Sequence, residues 1–139
     1  MSKRPFRIGR ALTGLGLFAT APIKKGAFIV AYRGRRVTDA ESERREARGA
    51  RYMFEINSRW AIDGSSRKNL ARYVNHACKP NAEAVLRKRG MVYIARRKIA
   101  PAEEITVDYG KEYFEAYLKK PGCRCAACRT MRKARKSWR

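Results

Sequence analysis

The sequence has no apolar run of about 18 residues, so we expect no segment that spans a membrane. Its basic start, "MSKRPFRIGR", lacks the apolar core of a secretion signal, which predicts a cytoplasmic protein. Internal repeats are also absent from the chain. The apolar content of 45% is sufficient for a hydrophobic core, and 139 residues favour a single domain over a disordered chain.

Acidic residues are scarce, with 12 Asp and Glu against 34 Lys and Arg and a net charge of +22. Residues 119–139 contain nine Lys or Arg and no acid. Such a surface favours nucleic acid, acidic protein or anionic lipid as a partner; the alternative is a solvated tail that binds polyanions without selectivity. A basic protein substrate would be repelled unless nucleic acid bridged the two. The tail also resembles a nuclear-import patch, so a nucleoid or host-nuclear location is an alternative to the cytoplasm.

Cysteine is limited to four residues, and three of them lie close together in "CRCAAC". Neighbours this close are poor disulfide partners, because the separation and direction of their side chains are constrained. Without a secretion signal, the thiolates favour metal, and four sulfurs complete a tetrahedral zinc shell. The sequence therefore predicts that Cys78 meets Cys123, Cys125 and Cys128 in the fold. The alternative is a set of unpaired thiols.

Short strands bounded by glycine and turn residues dominate the rest of the pattern, which predicts a mainly β fold. The expected strands lie within residues 9–37 (one of them over 27–33), at 51–57 and 59–64 as a hairpin around Asn57-Ser58, twice within 82–97 around Arg89-Gly90, and at 104–110. One helix is predicted at "TDAESERREAR", residues 38–48, where Thr38 and Glu41 form a capping box. One or two helical turns are expected at 111–120.

The stretch "NLARYVNHACKPNAEA", residues 69–84, contains the only histidine of the chain, His76. An Asn-His pair two residues before a cysteine, followed by Pro80 and Asn81, argues against a helix or a strand and predicts a tight turn. Two other motifs stand out. "GLGLFA" (14–19) has glycines that let the backbone approach a ligand, although alone it indicates only a turn. "ITVDYG" (105–110) precedes the cysteine cluster.

Taken together, in this order and spacing, these motifs resemble the SET-domain protein lysine methyltransferases over nearly the whole chain. "YMFEI" followed by "IDG" is similar to the central strands of that family, and the trailing cysteines resemble its post-SET zinc module. The resemblance implies a mainly β SET-domain (β-clip) fold over residues 1–118, with a post-SET zinc segment and basic tail at 119–139. It also implies a knot-like crossing between the "NHACKPN" turn and the Asp-Tyr segment. No pre-SET cysteine cluster precedes the motifs, and the small size suggests a bacterial representative.

The same resemblance implies S-adenosylmethionine as methyl donor and a structural zinc ion held by the four cysteines. The residues implied at the cofactor are Gly14, Leu15, Gly16, Leu17, Tyr52, Arg72, Asn75, His76 and Tyr109. Asn75 is expected to bind the amino-acid part of the donor, and His76 the adenine edge through its backbone. Arg72 is expected either to brace the crossing or to approach the cofactor. Aromatic residues beyond residue 110, Tyr113, Phe114 or Trp138, are candidates to stack on the adenine.

Tyr109 and Tyr52 are the catalytic residues that the resemblance implies. Methyl transfer from a sulfonium to an amine is an in-line displacement, which needs a neutral lysine amine aligned with the methyl group. Desolvation and the nearby sulfonium both lower the pKa of a lysine below its ordinary value of about 10.4. An aromatic wall excludes water and tolerates cations, and the Tyr109 hydroxyl is expected to orient the amine. For either tyrosine, plain packing is the alternative.

Two departures from the family pattern and two rival functions complete the interpretation. Val107 stands where the family often has an aromatic residue, and its smaller side chain predicts that the enzyme can add more than one methyl group. Only Ala126 and Ala127 separate Cys125 from Cys128, where the family usually has four residues. Zinc tolerates the short spacer, so the departure affects the shape of the closing segment more than the metal. The favoured function is methylation of a basic, histone-like protein. The rivals are a zinc-stabilised nucleic-acid-binding module that has lost catalysis, and a methyltransferase for ribosomal or other non-histone proteins.

Overall fold

A computed structural model describes residues 4–12, 14–88 and 90–110. This part of the chain is built mainly of short strands, with one α-helix, α1 (Asp39–Ala47), and one 3-10 turn (Leu70–Tyr73). The strands are β1 (Phe6–Ala11), β2 (Gly14–Ala19), β3 (Phe28–Tyr32), β4 (Arg35–Thr38), β5 (Met53–Glu55), β6 (Trp60–Asp63), β7 (Asn75–His76), β8 (Ala82–Arg87), β9 (Gly90–Ala95) and β10 (Glu104–Val107). The predicted mainly β class is confirmed. Four expectations concern residues outside the described ranges. They are the helical turns at 111–120, the stacking aromatics, the post-SET segment at 119–139 and the closure of the knot-like crossing.

The strands form three small sheets, in the orders β1-β2-β10-β7, β3-β9-β8 and β4-β6-β5. Neighbouring strands are antiparallel except for β10 and β7, which are parallel. The first sheet contains all three sequence motifs. Leu17 of β2 and Ile105 of β10 are opposite each other and fully buried, together with Val74 and Ile99. The strands that carry the motifs are therefore held by the deepest part of the core.

Both predicted hairpins are present. β5 and β6 are joined by a turn in which the Asn57 side-chain oxygen accepts hydrogen bonds from the backbone N–H groups of Arg59 and Trp60, at 2.8 and 2.9 Å. An asparagine that bonds its own backbone in this way mimics a turn, which explains why the local pattern was sufficient. β8 and β9 pair from Ala82 opposite Ala95 to Arg87 opposite Gly90.

The predicted helix and its cap are also confirmed. The Thr38 hydroxyl accepts a hydrogen bond from the Glu41 backbone N–H at 3.1 Å. Hydrogen bonds from Arg45 and Arg44 to the Glu41 carboxylate hold its pKa below the ordinary value. Arg45 also bonds Asp63 at the end of β6. The helix is therefore tied to the β4-β6-β5 sheet. It is far too short to cross a membrane, and the described ranges contain no helix long and apolar enough to do so.

The expectation that the Asn-His pair lies outside any strand was wrong. Asn75 and His76 form the two-residue strand β7, with Thr106 opposite Asn75 and Val107 opposite His76. The Ala77 backbone N–H extends this contact with a 2.9 Å bond to the Val107 carbonyl. The partner strand is about thirty residues away along the chain. The residue types of a short segment can indicate a turn, but they carry no information on pairing with a strand so far away in sequence. The prediction for the Asn-His pair was wrong for this reason.

Candidate active site

The β1-β2-β10-β7 sheet brings the three motifs together. β10 lies between β2 and β7, so the "GLGLFA" strand and the "NH" pair flank the "ITVDYG" strand on its two edges. The Tyr109 backbone N–H then donates a 3.0 Å hydrogen bond to His76 Nδ1. The prediction that residues 75–78 meet residues 108–110 is confirmed.

The Asn75 side chain has a defined orientation in this sheet. Its Nδ2 donates one hydrogen bond to the Leu15 carbonyl at 3.0 Å and another to Glu104 Oε2 at 2.8 Å. Both partners are acceptors only, so the amide nitrogen must face them. Within the described part of the chain, both amide hydrogens are thus used. The oxygen Oδ1 is the atom of Asn75 that remains to accept a hydrogen bond from a ligand.

The glycine-rich strand fits closely around this amide. A Cβ atom at Gly16 would lie 2.6 Å from Glu104 Oε2 and 3.0 Å from Asn75 Nδ2, so a larger residue would displace the Glu104 carboxylate from its bond to Asn75. Gly14 begins the strand with a φ of 125°, a conformation that favours glycine. Leu15 exposes its side chain, whereas Leu17 places its own in the core. Of the four residues predicted here at the cofactor, Leu15 bonds the Asn75 amide through its carbonyl, and Gly16 leaves room for that amide.

His76 is neutral, and its proton has a defined position. Burial lowers the pKa of His76, and the Asp108 carboxylate, 3.7 Å from Nδ1, opposes this shift only in part. Because Nδ1 accepts the Tyr109 N–H, the ring proton is on Nε2, which lies 3.4 Å from Cys78 Sγ. The imidazole therefore positions the Tyr109 backbone with one nitrogen and donates a hydrogen bond to the Cys78 sulfur with the other.

Tyr109 is held at both ends. His76 fixes its backbone, and its hydroxyl donates a hydrogen bond to the Val74 carbonyl. The ring packs against the core and lies 5.4 Å, between centroids, from the imidazole of His76. Asp108 serves the same segment, because its Oδ1 accepts the Gly110 backbone N–H at 2.8 Å. Since the hydroxyl proton is used by Val74, the phenolic oxygen can act towards a ligand only as an acceptor.

The side chains of Tyr52 and Arg72 form a second contacting pair, beside the 3-10 turn that precedes β7. The Arg72 guanidinium lies 4.3 Å from the centroid of the Tyr52 ring and also donates to the Ser65 carbonyl. The Tyr52 carbonyl accepts bonds from the Tyr32 hydroxyl at 2.6 Å and the Gly64 N–H at 2.8 Å. These contacts show Arg72 bracing Tyr52. Tyr52 and Tyr109 therefore both contact the short segment from residue 72 to residue 74.

Sequence reasoning missed three residues that hold the site together. Asn81 is 2% exposed, accepts the Thr106 N–H at 2.9 Å and donates to the Glu104 carbonyl at 2.7 Å, so it pairs with β10 as another strand would. Asn69, 1% exposed, bonds the Arg33 N–H and the Gly64 carbonyl in the same way. Glu104 orients Asn75. The two asparagines stand in the "NLARYVNHACKPN" motif and Glu104 begins "EITVDYG", so all three lie in motifs that the sequence singled out without assigning these residues a role.

The metal prediction can be compared with the structure only at Cys78. Its sulfur is partly buried and accepts the His76 Nε2–H, a contact that suits a thiolate ligand. Across residues 4–12, 14–88 and 90–110, no group of three or more His, Cys, Asp and Glu side chains is arranged to hold a metal ion. Cys123, Cys125 and Cys128 lie outside these ranges, so the four-cysteine site stays a prediction.

Similar sequences support the interpretation of the motifs. The chain is 35% identical over 140 residues to "Histone-lysine N-methyltransferase, H3 lysine-4 specific" of Neurospora crassa, covering 91% of this chain and 11% of that protein. The protein of the same description in Saccharomyces cerevisiae is 33% identical over 136 residues, covering 90% and 13%. The human histone-lysine N-methyltransferase 2D is 35% identical, covering 84% and 2%. The chain thus spans only about an eighth or less of the length of these relatives.

Solved structures agree with the fold. A Chaetomium thermophilum Polycomb Repressive Complex 2 structure matches with a TM-score of 0.70 and 28% identity, covering 78% of this chain and 16% of the other. A structure of ctPRC2 in an autoinhibited conformation bound to S-adenosylmethionine matches with a TM-score of 0.70, 26% identity and coverage of 78% and 15%. The family model described as "SET domain" matches residues 14–110, which include all three motifs and nearly all the described strands. The chain therefore belongs to the SET domain family.

Proposed function

We propose that this protein is an S-adenosylmethionine-dependent protein-lysine N-methyltransferase that acts on a basic, histone-like protein. The observation that carries the proposal is the convergence of Asn75, His76 and Tyr109 on one sheet beside the glycine-rich strand. Relatives described as histone-lysine N-methyltransferases, and a structural neighbour bound to S-adenosylmethionine, support it. The bacterial origin and the cytoplasmic location stay predictions.

The described residues can perform two tasks in this reaction. S-adenosylmethionine, when bound, supplies an electrophilic methyl group on a sulfonium and carries an α-ammonium. Asn75 Oδ1 is available to accept a hydrogen bond from that ammonium, and the neighbouring Glu104 carboxylate favours its positive charge. The Tyr109 oxygen, whose proton is bonded to Val74, can accept a hydrogen bond from the substrate amine and hold its lone pair in line with the methyl group.

Glu104→Gln tests whether the orientation of Asn75 matters for donor binding. We expect the dissociation constant for S-adenosylmethionine, measured by calorimetry, to rise about tenfold, because a charge-assisted hydrogen bond contributes roughly 1.5 kcal/mol. A glutamine amide would also present hydrogens to the Asn75 amide and so disturb its orientation.

Glu103→Gln is the matched control, because Glu103 precedes Glu104 in sequence but bonds Arg97 and the Ala100 N–H instead. We expect this variant to bind the donor within about twofold of the wild type, because the Glu103 carboxylate bonds Arg97, the Ala100 N–H and Asn81 and not the Asn75 amide. Equal weakening by both variants would contradict the assigned role of Glu104.

We propose in addition that Cys78, Cys123, Cys125 and Cys128 hold one structural zinc ion. The support is the hydrogen bond that His76 offers to Cys78 Sγ and the presence of four cysteines for four tetrahedral positions. A zinc ion, when bound, would cross-link the turn at residue 78 to the C-terminal segment. It has no part in the methyl transfer.

Metal analysis of the purified protein checks this proposal. We expect about one zinc ion per chain, and a lower thermal midpoint after treatment with a zinc chelator, restored when zinc is added back. Cys78→Ser should lose the metal and the response to the chelator together. A wild-type chain that is free of zinc, or a Cys78→Ser chain that retains it fully, would contradict the four-thiolate site.

The substrate is tested by transfer of labelled methyl groups to histones, ribosomal proteins and a cell lysate, with mass spectrometry to locate the modified lysines. Strong labelling of ribosomal proteins and none of histone-like proteins would favour the second enzyme rival. Tight DNA binding without any affinity for S-adenosylmethionine would favour the binding-module rival. The charge of +22 motivates a nucleic-acid partner for the basic tail, which lies outside the described residues and stays a proposal.

A further inference from the structure

Four cations lie close to one end of the β3-β9-β8 sheet. Tyr32, the last residue of β3, is opposite Met91 of β9, and Arg87, the last residue of β8, is opposite Gly90. Arg33 and Arg87 therefore flank Gly90 on its two sides. Neighbouring strands are about 4.8 Å apart, which places the two arginine backbones roughly 10 Å from each other. Lys88 extends the same hairpin beyond Arg87.

The third sheet adds one more arginine beside this hairpin. A Cβ atom at Gly90 would lie 3.8 Å from Ile62 Cδ1, so the hairpin end rests against β6. Arg36 of β4 is directly opposite Ile62 and shares the face of β4 that is turned to the hairpin, whereas Arg35 is opposite Asp63 on the other face. We call the resulting set Arg33, Arg36, Arg87 and Lys88 the arginine end of the sheet.

The charges of the arginine end are not neutralised by the described protein. All four side chains are exposed, and none takes part in an ion pair with another described residue. The nearest acid in the strand register, Asp63, is already bonded by Arg45 and Ser65. Burial would raise the pKa of Asp63, but these bonds outweigh it and hold the pKa below the ordinary value.

We propose that the arginine end binds the phosphate backbone of duplex DNA. Guanidinium groups match phosphate oxygens with paired hydrogen bonds, and three of the four cations are arginines. Cations spread across two sheets can follow neighbouring phosphates along one strand of a duplex.

The position of this surface relates it to the proposed function. Arg33 follows Tyr32, whose hydroxyl bonds the Tyr52 carbonyl at 2.6 Å, so the arginine end adjoins the side of the fold that carries Tyr52. A protein of charge +22 is repelled by a basic substrate. DNA held at the arginine end would bring a DNA-bound basic protein to the site. Only this link rests on the proposed methyltransferase activity; the DNA contact itself does not.

The test measures binding of the full chain to a duplex DNA of about 20 base pairs by fluorescence anisotropy, at salt concentrations from about 50 to 200 mM. The logarithm of the binding constant falls linearly with the logarithm of the salt concentration, and each phosphate contact adds about 0.9 to the steepness of that slope. The triple variant Arg33→Ala, Arg36→Ala, Arg87→Ala should lower the slope by about 2 to 3 and weaken binding at least about tenfold. All three side chains are exposed, and circular dichroism with a thermal midpoint verifies the fold.

A matched control removes the same charge from the opposite end of the same sheet. Lys24, Lys25 and Lys98 are exposed and lie just before β3 and just after β9. The variant Lys24→Ala, Lys25→Ala, Lys98→Ala should change the slope by less than half as much. Equal losses in the two variants, an unchanged slope in the arginine variant, or equally tight binding of the single strand would each overturn the proposal.

A second readout separates this proposal from the methyltransferase proposal. DNA binding is measured without S-adenosylmethionine, so it succeeds or fails independently of catalysis. Methylation of an isolated peptide should be unchanged in the arginine variant, whereas methylation of the same substrate bound to DNA should fall. Loss of both activities to the same extent would place these arginines in the catalytic site and overturn their role in DNA docking.

Discussion

Replacing Tyr109 with phenylalanine is expected to reduce the rate of methyl transfer at least about 100-fold, a loss typical of removing one oriented polar group from an active site. The substitution removes only the hydroxyl group and leaves the ring in place. The hydroxyl is anchored on the Val74 carbonyl, so its oxygen is fixed in place before any substrate arrives. Without it, nothing on this ring can accept a hydrogen bond from the amine. Transfer of labelled methyl groups under single-turnover conditions measures the effect.

Tyr73→Phe is the matched control for this prediction. Tyr73 belongs to the same short segment, and its ring lies 5.5 Å from the Arg72 guanidinium, but no hydrogen bond of its hydroxyl is recorded among the described residues. We expect a rate within about twofold of the wild type. Binding of S-adenosylmethionine should be retained by both variants. Equal rates for Tyr109→Phe and the wild type would remove Tyr109 from its assigned role.

Asn81→Leu is expected to lower the free energy of unfolding by about 2 to 6 kcal/mol, because two buried backbone groups would each lose a partner at roughly 1–3 kcal/mol. The two groups are the Thr106 N–H and the Glu104 carbonyl, which the Asn81 amide binds at 2.9 and 2.7 Å. Leucine fills a similar volume but supplies neither a donor nor an acceptor. Urea unfolding followed by circular dichroism measures the change.

The neighbouring Lys79 provides the control, because it lies in the same turn with its side chain exposed. Lys79→Leu removes a polar side chain of comparable length and should change stability by less than about 0.5 kcal/mol. Asn81 also holds β10, the strand that leads to Tyr109. Asn81→Leu should therefore lower the rate of methyl transfer as well, because β10 would be displaced. A fully stable Asn81→Leu chain would contradict the account of Asn81 as a substitute strand.

The local elements of this fold were predictable because their causes are local. Thr38 and Glu41 mark the start of α1 within one turn of chain, and Asn57 supplies the turn of the β5–β6 hairpin from its own side chain. The alternating apolar residues of "EITVDYG" predicted a strand, which is confirmed as β10, whereas the turn indicated by "GLGLFA" was wrong because residues 14–19 form β2. Each of these signals is complete within about ten residues, so the chain around it has little influence on the outcome.

The candidate site was predictable only as a set of residues. Its motifs identified Asn75, His76 and Tyr109, but not what each side chain does with its polar atoms. The proton on His76 Nε2 follows from Tyr109, thirty-three residues away, and the orientation of the Asn75 amide follows from Leu15, sixty residues away. Glu104, which completes that arrangement, is the first residue of the "EITVDYG" motif, but the motif gave it no role, because its partner Asn75 is twenty-nine residues away along the chain.

The sequence by itself determined most of the strand and helix pattern, the family and the residues of the candidate site, because periodicity, capping and motif spacing are written within short segments. Only the tertiary structure decided that the Asn-His pair is a strand, that Asn81 replaces a strand beside β10, and that arginines from three strands lie near one end of a sheet. These features arise where distant segments close on each other. Their free energy depends on which backbone groups then lack water and find a partner, and that is a property of the assembled fold.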